Sequence, residues 1–325
     1  MSSAVPPPVI LDRVLPEPSL LRELVIRNGP YGTIQRYFRS VTEMESLRDG
    51  KAPRVASGGM FVAPWFRGDW AYDAPLVDGV QAFLENPGFR DAAAKLFGGA
   101  AEIRPQIVYV NCFAPIPAFD RGHVDIPAFR GIDRTGHPVW LLASMLRSGL
   151  FEPWRIPIAT GVVCYYDGPG GGLSYWPEGP GRPPVRRPAL PNTAVVGDND
   201  RMFHRVEAVG AEGTTFMKGL TLDSELAWVG DGWAITDGGR TLATFPFEAV
   251  RVSVSWKAQV LRTPDEVRRV DAHSDDLTLD RVVEVFRTDL AARGRAVAQP
   301  ADPLTDDGFI AALNAAYHQP KPIEA

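Results

Sequence analysis

The chain has 325 residues, 45% of them hydrophobic and 22% charged, which is the composition of an ordinary globular protein long enough for one large core. The formal net charge is −5 without a block of like charges, which argues against a nucleic-acid partner because such a partner needs a basic face. Residues 1–8 lack the basic and apolar regions of a signal peptide, and no apolar run approaches the ~20 residues that span a bilayer. The two cysteines, Cys112 and Cys164, lie in apolar runs and predict buried free thiols, so we expect a cytoplasmic protein without a membrane partner.

The sequence divides into three consecutive regions that differ in predicted secondary structure. Residues 1–103 predict a mostly helical region that packs on the core, with a first helix capped by Ser19. Residues 104–262 contain many short β-rich runs separated by Gly and Pro turns, which favours a sandwich or a barrel as the catalytic core. Residues 263–325 return to helix, because apolar residues recur there at helical spacing.

Two of the five histidines are candidates for a metal centre with one aspartate. His123 and Asp125 are two residues apart, so on an extended backbone their side chains point to the same side and can meet one metal ion. His204, in an alternating run, is the best third ligand, although His137 and His273 are alternatives that we expect in loops. Two histidines and one carboxylate on one face leave coordination positions open, as an oxygen-activating iron(II) centre requires.

A strand near residue 250 carries a candidate site for a carboxylate. Arg251, Ser253 and Ser255 share one face of the alternating run from 250 to 256. A guanidinium that faces a barrel interior needs a partner, and its planar fork grips a carboxylate through two hydrogen bonds. A dicarboxylate cosubstrate would supply that partner, whereas the alternative is an arginine that faces outward from an amphipathic edge strand.

These pieces, in this order, resemble the iron(II)/2-oxoglutarate-dependent dioxygenases and are nearest in pattern to the prolyl-hydroxylase-like branch. The resemblance covers roughly residues 104 to 260. Four segments carry it: His123-Val124-Asp125, Gly170-Gly171-Gly172-Leu173-Ser174-Tyr175, His204-Arg205-Val206 and Arg251-Val252-Ser253-Val254-Ser255-Trp256.

The resemblance implies a mainly β protein with flanking helices and a double-stranded β-helix core of the jelly-roll or cupin type. It implies that His123, Asp125 and His204 hold Fe(II), and that 2-oxoglutarate and O2 are consumed with release of succinate and CO2. Arg251 and Ser253 would bind the far carboxylate of 2-oxoglutarate. Tyr109 and Asn111 would add polar contacts to it, although they are equally well explained as core residues with satisfied hydrogen bonds.

One departure from the family pattern concerns the arginine. The family places it about a dozen residues after the second histidine, whereas 47 positions separate His204 from Arg251 in this chain. We therefore interpret residues 210–248 as an inserted hairpin beside the mouth of the barrel. Lys218 keeps the usual spacing and is the rival carboxylate-binding residue. Because Asp125 is retained where related halogenases carry a small residue, hydroxylation or a related oxidation is favoured over halogenation.

Aromatic and basic residues indicate a substrate-binding region. Trp65, Arg67 and Trp233 are the candidates, and Arg67 is suited to a substrate carboxylate. Residues 58–68, bounded by glycines, together with the 210–248 insertion, are candidates for a lid and a substrate wall. The substrate that this favours is a small molecule, an amino acid or a natural-product intermediate. Alternatives are a peptidyl (prolyl-type) hydroxylase, a jelly-roll metal enzyme that does not use 2-oxoglutarate, and a binding module on a degenerate barrel.

Overall fold

The computed structural model describes residues 5–37, 62–318 and 322, so residues 58–61 of the expected lid lie outside the described part. The helices in this part are α1 (Ser19–Arg27), α2 (Gln81–Leu84), α3 (Pro87–Leu96), α4 (Val139–Ser148), α5 (Pro264–Ala272), α6 (Leu279–Ala292) and α7 (Asp307–Ala316). The strands are β1 (Val9–Leu11), β2 (Tyr31–Thr33), β3 (Trp65–Tyr72), β4 (Ala74–Pro75), β5 (Glu102–Phe113), β6 (Ala128–Phe129), β7 (Arg155–Ile156), β8 (Ile158–Tyr165), β9 (Leu173–Trp176), β10 (Val185–Arg187), β11 (Thr193–Gly197), β12 (Phe203–Val206), β13 (Glu225–Val229), β14 (Gly232–Asp237), β15 (Arg240–Phe245) and β16 (Arg251–Leu261).

Two antiparallel sheets form the core and have the strand order of a jelly roll. The large sheet has the order β1-β11-β8-β16-β5-β3-β2-β13-β14-β15, with β4 paired to β3. The small sheet has the order β10-β9-β12, and a backbone bridge between His123 and His204 adds one more segment beside β12. The chain thus runs from β5 to His123, back to β8, over to β9 and β10, back to β11, over to β12 and finally to β16. This alternation between two sheets is a double-stranded β-helix, which confirms the predicted core.

Strand β16 is an interior strand of the large sheet and is buried on both faces. It pairs with β5 on one side and β8 on the other, so Ser253 lies between Asn111 and Cys164. On one face Trp256 stacks on Phe89 of α3, with ring centroids 5.1 Å apart. The opposite face carries Arg251, Ser253, Ser255 and Lys257, which are buried as well. Pairing on both edges fixes the register and therefore fixes where each of these polar side chains lies.

The described part of residues 1–103 contributes strands as well as helices, which differs from the mostly helical region that the sequence predicted. β3 pairs with β5 from Trp65 opposite Phe113 to Tyr72 opposite Ile107. Phe66, Trp70 and Ala71 of β3 are buried, and its other residues are partly or fully exposed. The pairing partner of β3 lies more than thirty residues away in the chain. The strand therefore depends on a long-range contact that the local sequence pattern does not predict.

The inserted segment 210–248 forms a meander that extends the large sheet. β13 pairs with β2 and with β14, and β14 pairs with β15. Trp233 of β14 is fully buried and packs against Tyr31, Trp228 and Phe247. The segment is therefore part of the sheet and its hydrophobic core, not a free hairpin.

A second hydrophobic core is formed mainly by helices. Side chains from α4, α6 and α7 form it, and Phe286 of α6 meets Phe151 with ring centroids 4.9 Å apart. None of the helices in the described residues is long and apolar enough to cross a membrane. Cys112 and Cys164 are buried free thiols, as predicted.

Candidate metal centre and cavity

Backbone pairing brings the two halves of the predicted metal site together. The amide of His123 donates to the carbonyl oxygen of His204 at 3.0 Å, and the amide of His204 donates back at 2.9 Å. Two residues later the amide of Asp125 donates to the carbonyl oxygen of Asn199 at 2.8 Å. The segment with His123 and Asp125 is therefore held against β12 and the turn before it by main-chain hydrogen bonds.

His123, Asp125 and His204 form a group that fits a metal ion. One ligand atom from each residue lies within 4.8 Å of the other two, and this is the group of three potential ligands found in the described residues. Nε2 of His204 lies 3.8 Å from Oδ1 of Asp125. Two imidazoles and one carboxylate at these separations match the facial triad of non-haem Fe(II) sites. The three residues that the sequence predicted are thus brought together.

The second ring nitrogen of each histidine has a hydrogen-bond partner. Nδ1 of His123 lies 2.6 Å from Oδ2 of Asp120, and Nδ1 of His204 lies 3.1 Å from the carbonyl oxygen of Met202. Metal-binding histidines commonly donate this N–H to a carboxylate or a carbonyl, which orients the ring. Nε2 of each ring is then the nitrogen available to a metal, although Nε2 of His204 also lies 3.5 Å from Nδ2 of Asn199. The sequence analysis missed Asp120, although an acidic residue three positions before His123 is visible in the sequence.

The outer oxygen of Asp125 is held by a lysine that the sequence analysis also missed. Nζ of Lys257 lies 2.7 Å from Oδ2 of Asp125, and the Thr160 hydroxyl lies 3.4 Å from the same atom. Burial raises the pKa of Asp125, but the charges of Lys257, His204 and His123 outweigh burial and lower it below its usual range. Asp125 is therefore ionised, with Oδ1 directed toward the histidines. Lys257 continues the alternation of Arg251, Ser253 and Ser255, so the sequence did contain its signal.

The two histidines differ in their protonation in the metal-free protein. Burial lowers the pKa of His123, but the charge and hydrogen bond of Asp120 outweigh it and raise the pKa from 6.5 to about 8. Burial and the neighbouring His123 lower the pKa of His204 from 6.5 to about 4. At neutral pH His204 is therefore neutral, and His123 must lose its proton before it can bind a metal.

A cavity of about 480 Å³ opens onto the metal position. It is lined by residues of both sheets, among them Leu173 and Val206 of the small sheet and Ser253 of the large one. Eight of the predicted site residues line it: Trp65, Arg67, Tyr109, Asn111, His123, Asp125, His204 and Ser253. The structure thus brings these eight residues around one space.

Arg251 lies next to this cavity but is not one of its lining residues. Its side chain is 1% exposed, its Nε donates to the carbonyl oxygen of Gly171 at 2.6 Å, and its Nη1 donates to the Ser253 hydroxyl at 2.9 Å. It forms no ion pair with a carboxylate of the described residues. Arg251 is therefore a buried cation without a counter-charge among the described residues, and only the Ser253 side chain separates it from the cavity wall.

Four other candidates lie away from the cavity. Trp233 packs in the hydrophobic core and does not line the cavity, which corrects its assignment as a substrate-binding residue. Lys218 lies in the loop between β12 and β13 and is not a lining residue either. His137 and His273 are outside the three-residue ligand group, and Nδ1 of His273 pairs with Asp276 at 2.8 Å.

Comparison with known proteins gives weak likenesses to oxygenases. No protein-family model and no curated protein matches the sequence. An oxidoreductase of the 2OG-Fe(II) oxygenase family from Burkholderia pseudomallei is 12% identical over 67% of this chain and 78% of its own, with a TM-score of 0.34. A prolyl-4-hydroxylase from Pseudomonas putida is 11% identical over 78% and 93%, with a TM-score of 0.38. Prolyl 4-hydroxylase from Phytophthora capsici is 13% identical over 71% and 57%, with a TM-score of 0.26.

The solved structures similar to this chain therefore include 2OG-Fe(II) oxygenases, as the order of the sequence motifs indicated. At these identities and TM-scores the likeness carries nothing about activity, and the proposal below rests on the side chains of this chain.

The contact between Asp120 and His123 yields a testable expectation. In the metal-free protein we expect Asp120→Asn to lower the pKa of His123 from about 8, because burial then acts without the charge of the Asp120 carboxylate. The measurement is an NMR titration of the imidazole nitrogens. Asp133→Asn is the matched control, since Asp133 also lines the cavity but bonds to Thr135. An unchanged His123 titration in Asp120→Asn would show that the contact does not set this pKa.

Proposed function

We propose that this chain is a non-haem iron(II)- and 2-oxoglutarate-dependent oxygenase that oxidises a C–H bond, by hydroxylation, in a small molecule. The observation that carries the proposal is the convergence of His123, Asp125 and His204 within 4.8 Å on one wall of a cavity. This ligand set with open positions is characteristic of Fe(II) sites that activate O2. When bound, iron and 2-oxoglutarate supply the activation of O2, with conversion of the keto acid to succinate and CO2.

The protein residues around the metal hold and orient its ligands. His123 and His204 offer Nε2 because Asp120 and the Met202 carbonyl occupy their Nδ1 atoms. Asp125 offers Oδ1 because Lys257 occupies Oδ2. Each ligand is thus fixed by a contact behind it, and such contacts tune metal affinity by about 10- to 100-fold.

The cosubstrate site is proposed at the polar face of β16. A guanidinium as buried as that of Arg251 is costly without a counter-charge, and a carboxylate would supply one. The Ser253 hydroxyl accepts a hydrogen bond from Arg251, and Ser253 also lines the cavity. This hydroxyl can therefore bind either Arg251 or a carboxylate in the cavity. Tyr109 and Asn111 line the same wall of the cavity, so we assign them a part in holding the keto acid.

The apolar part of the cavity keeps water from the reacting centre. Phe113, Val162, Leu173 and Val206 supply apolar lining beside the polar residues of β16. Trp65 stacks on Phe113 with ring centroids 4.7 Å apart, and its Nε1 donates to Asn111 at 2.9 Å. These contacts fix the Trp65 ring as a rigid wall, and a closed apolar wall strengthens electrostatic interactions inside the site.

A second candidate is a jelly-roll metal enzyme that does not use 2-oxoglutarate. The observation in its favour is that Nε and Nη1 of Arg251 already donate to protein oxygens and that Arg251 does not line the cavity. In that case Arg251 stabilises the Gly171 loop and the metal site acts without a keto acid.

The function is tested by succinate release from 2-oxoglutarate with iron-loaded protein and a metabolite mixture. We expect 2-oxoglutarate-dependent succinate from the wild type and none above background from His204→Ala, which should also lose stoichiometric metal. His137→Ala is the matched control and should keep both properties, because His137 is outside the ligand group. Succinate formation that survives in His204→Ala would refute the assignment, and bound metal without any succinate would favour the second candidate.

Arg251→Ala tests the cosubstrate site. Breaking a buried charge pair costs about 3–5 kcal/mol, so the affinity for 2-oxoglutarate should fall by at least about a hundredfold. Metal binding should persist, and Arg251→Lys should recover only part of the affinity because an ammonium lacks the planar fork. The measurement is an anaerobic titration that follows absorption of the iron–keto-acid chelate. Normal affinity in Arg251→Ala together with a loss in Lys218→Ala would assign the role to Lys218.

A further inference from the structure

We propose that the substrate of this site carries a carboxylate and that Arg121 binds it inside the cavity, beside the metal ligand His123. This inference rests on the proposed function for the reaction, and it adds the chemical class of the molecule that is oxidised. The expected substrate is a small carboxylic acid with an apolar body.

The first support is the balance of charges around the cavity. Among the described residues, Arg67, Arg121, Arg134 and Lys257 are its cationic lining. Arg67 pairs with Asp69 at 2.8 Å, and Lys257 pairs with Asp125 at 2.7 Å. Arg134 also has a partner within the chain. Arg121 is the cation of this lining for which the described residues provide neither an ion pair nor a hydrogen bond.

The second support is the environment of the Arg121 side chain. Its Nε is buried and has no hydrogen-bond partner among the described residues. A guanidinium keeps its charge at every physiological pH, and a buried donor without a partner costs free energy. Native proteins leave few such groups, so an unpaired donor at a cavity wall calls for an explanation, and a bound ligand is one.

The neighbouring carboxylates are engaged elsewhere. Oδ2 of Asp120 lies 2.6 Å from Nδ1 of His123, and its Oδ1 accepts the amide of Gly122 at 2.8 Å. Asp125 is held by Lys257. Asp120 is thus engaged with His123 and Asp125 with Lys257, which leaves the Arg121 guanidinium without a carboxylate partner among the described residues.

The third support is the position of Arg121 relative to the metal. Arg121 and His123 are separated by Gly122, whose φ of +115° favours glycine. A Cβ on Gly122 would lie 3.0 Å from the Trp176 ring, so this turn is fixed by packing. The Cα atoms of residues two apart are separated by at most about 7 Å, so Arg121 lies in the same short segment as His123 and lines the same cavity.

The walls beside Arg121 define the rest of the molecule. Phe119 and Trp65 both line the cavity, with ring centroids 6.5 Å apart. They offer an aromatic surface for an apolar body whose acid group is held by Arg121. The volume of about 480 Å³, which the keto acid would share, restricts this body to a small molecule.

Arg67, the residue that the sequence favoured for this role, is less suited to it. Its guanidinium is paired with Asp69 and lies over the Tyr109 ring, 3.7 Å from the centroid. A substrate carboxylate would have to compete with Asp69 for this arginine, whereas the part of the chain that the structure describes places no carboxylate on Arg121.

The test compares acids with their uncharged counterparts. The Co(II)-loaded protein is titrated by calorimetry, without oxygen and with saturating 2-oxoglutarate, with 3-phenylpropionate, hexanoate and N-acetylleucine and with the primary amide of each. We expect at least one acid to bind the wild type about tenfold or more tightly than its amide, since one charge-assisted contact is of that order. Arg121→Gln should remove this preference and leave 2-oxoglutarate affinity unchanged.

Arg186→Gln is the matched control because Arg186 is exposed on β10 and does not line the cavity. It should retain the preference for acids. Arg121→Lys keeps the charge without the fork and should show an intermediate preference, which covers the case in which Arg121→Gln does not fold.

The proposal is overturned if no acid binds, if acids and amides bind alike, or if Arg121→Gln keeps the preference. It is also overturned if Arg121→Gln loses 2-oxoglutarate affinity instead, since Arg121 would then bind the cosubstrate. A wild type that binds acids through Arg121 but shows no affinity for 2-oxoglutarate would keep this inference and refute the proposed function.

Discussion

The buried polar face of β16 is the constraint on which the site depends. Arg251, Ser253, Ser255 and Lys257 all point between the two sheets, where water cannot compensate two positive charges. Lys257 obtains its counter-charge from Asp125 across the barrel. This pair ties the large sheet to the segment that carries the metal ligands. Arg251, at the other end of the same face, donates to a carbonyl and a hydroxyl but has no carboxylate partner among the described residues, so an acidic ligand would complete it.

The opposite face of β16 explains how this arrangement stays in register. Trp256 is buried against Phe89, and its Nε1 donates to the carbonyl oxygen of Leu84 at 3.1 Å. Both edges of the strand are paired, so a slip of one residue would expose the polar face to the hydrophobic core. A site built on such a strand is held more rigidly than a site on loops. The rigidity of the strand also positions Asp125, because Asp125 is paired with Lys257 of β16.

Local spacing was sufficient to predict that His123, Asp125 and His204 come together and that β16 has a polar face. His123 and Asp125 are two residues apart, and His204 and Arg251 lie in alternating strands, so period-two reasoning applied directly. Lys257 belonged to the same alternation and was missed only because the pattern was not followed to the end of the strand. Asp120 and Arg121 lie in an irregular loop, where periodicity has no meaning and only the folded chain shows which side chain has a partner.

The remaining differences come from long-range pairing. β3 is a strand because it meets β5, and residues 210–248 join the large sheet because β13 meets β2. Trp233 and Trp65 are both large aromatics on strands, but one lies in the core and the other on the cavity wall. Amino-acid type does not separate these two environments, since both reward a buried aromatic surface.

The central claim is that one metal ion sits among His123, Asp125 and His204 with a keto acid beside it. The most direct measurement is X-ray diffraction from crystals grown with Mn(II) and 2-oxoglutarate without oxygen, with anomalous scattering to locate the metal. The account predicts a single strong peak bonded to Nε2 of both histidines and to Oδ1 of Asp125, with the distal carboxylate of the keto acid at Arg251 and Ser253. A metal bound elsewhere, or an intact Lys257–Asp125 pair with no metal among these three residues, would contradict it.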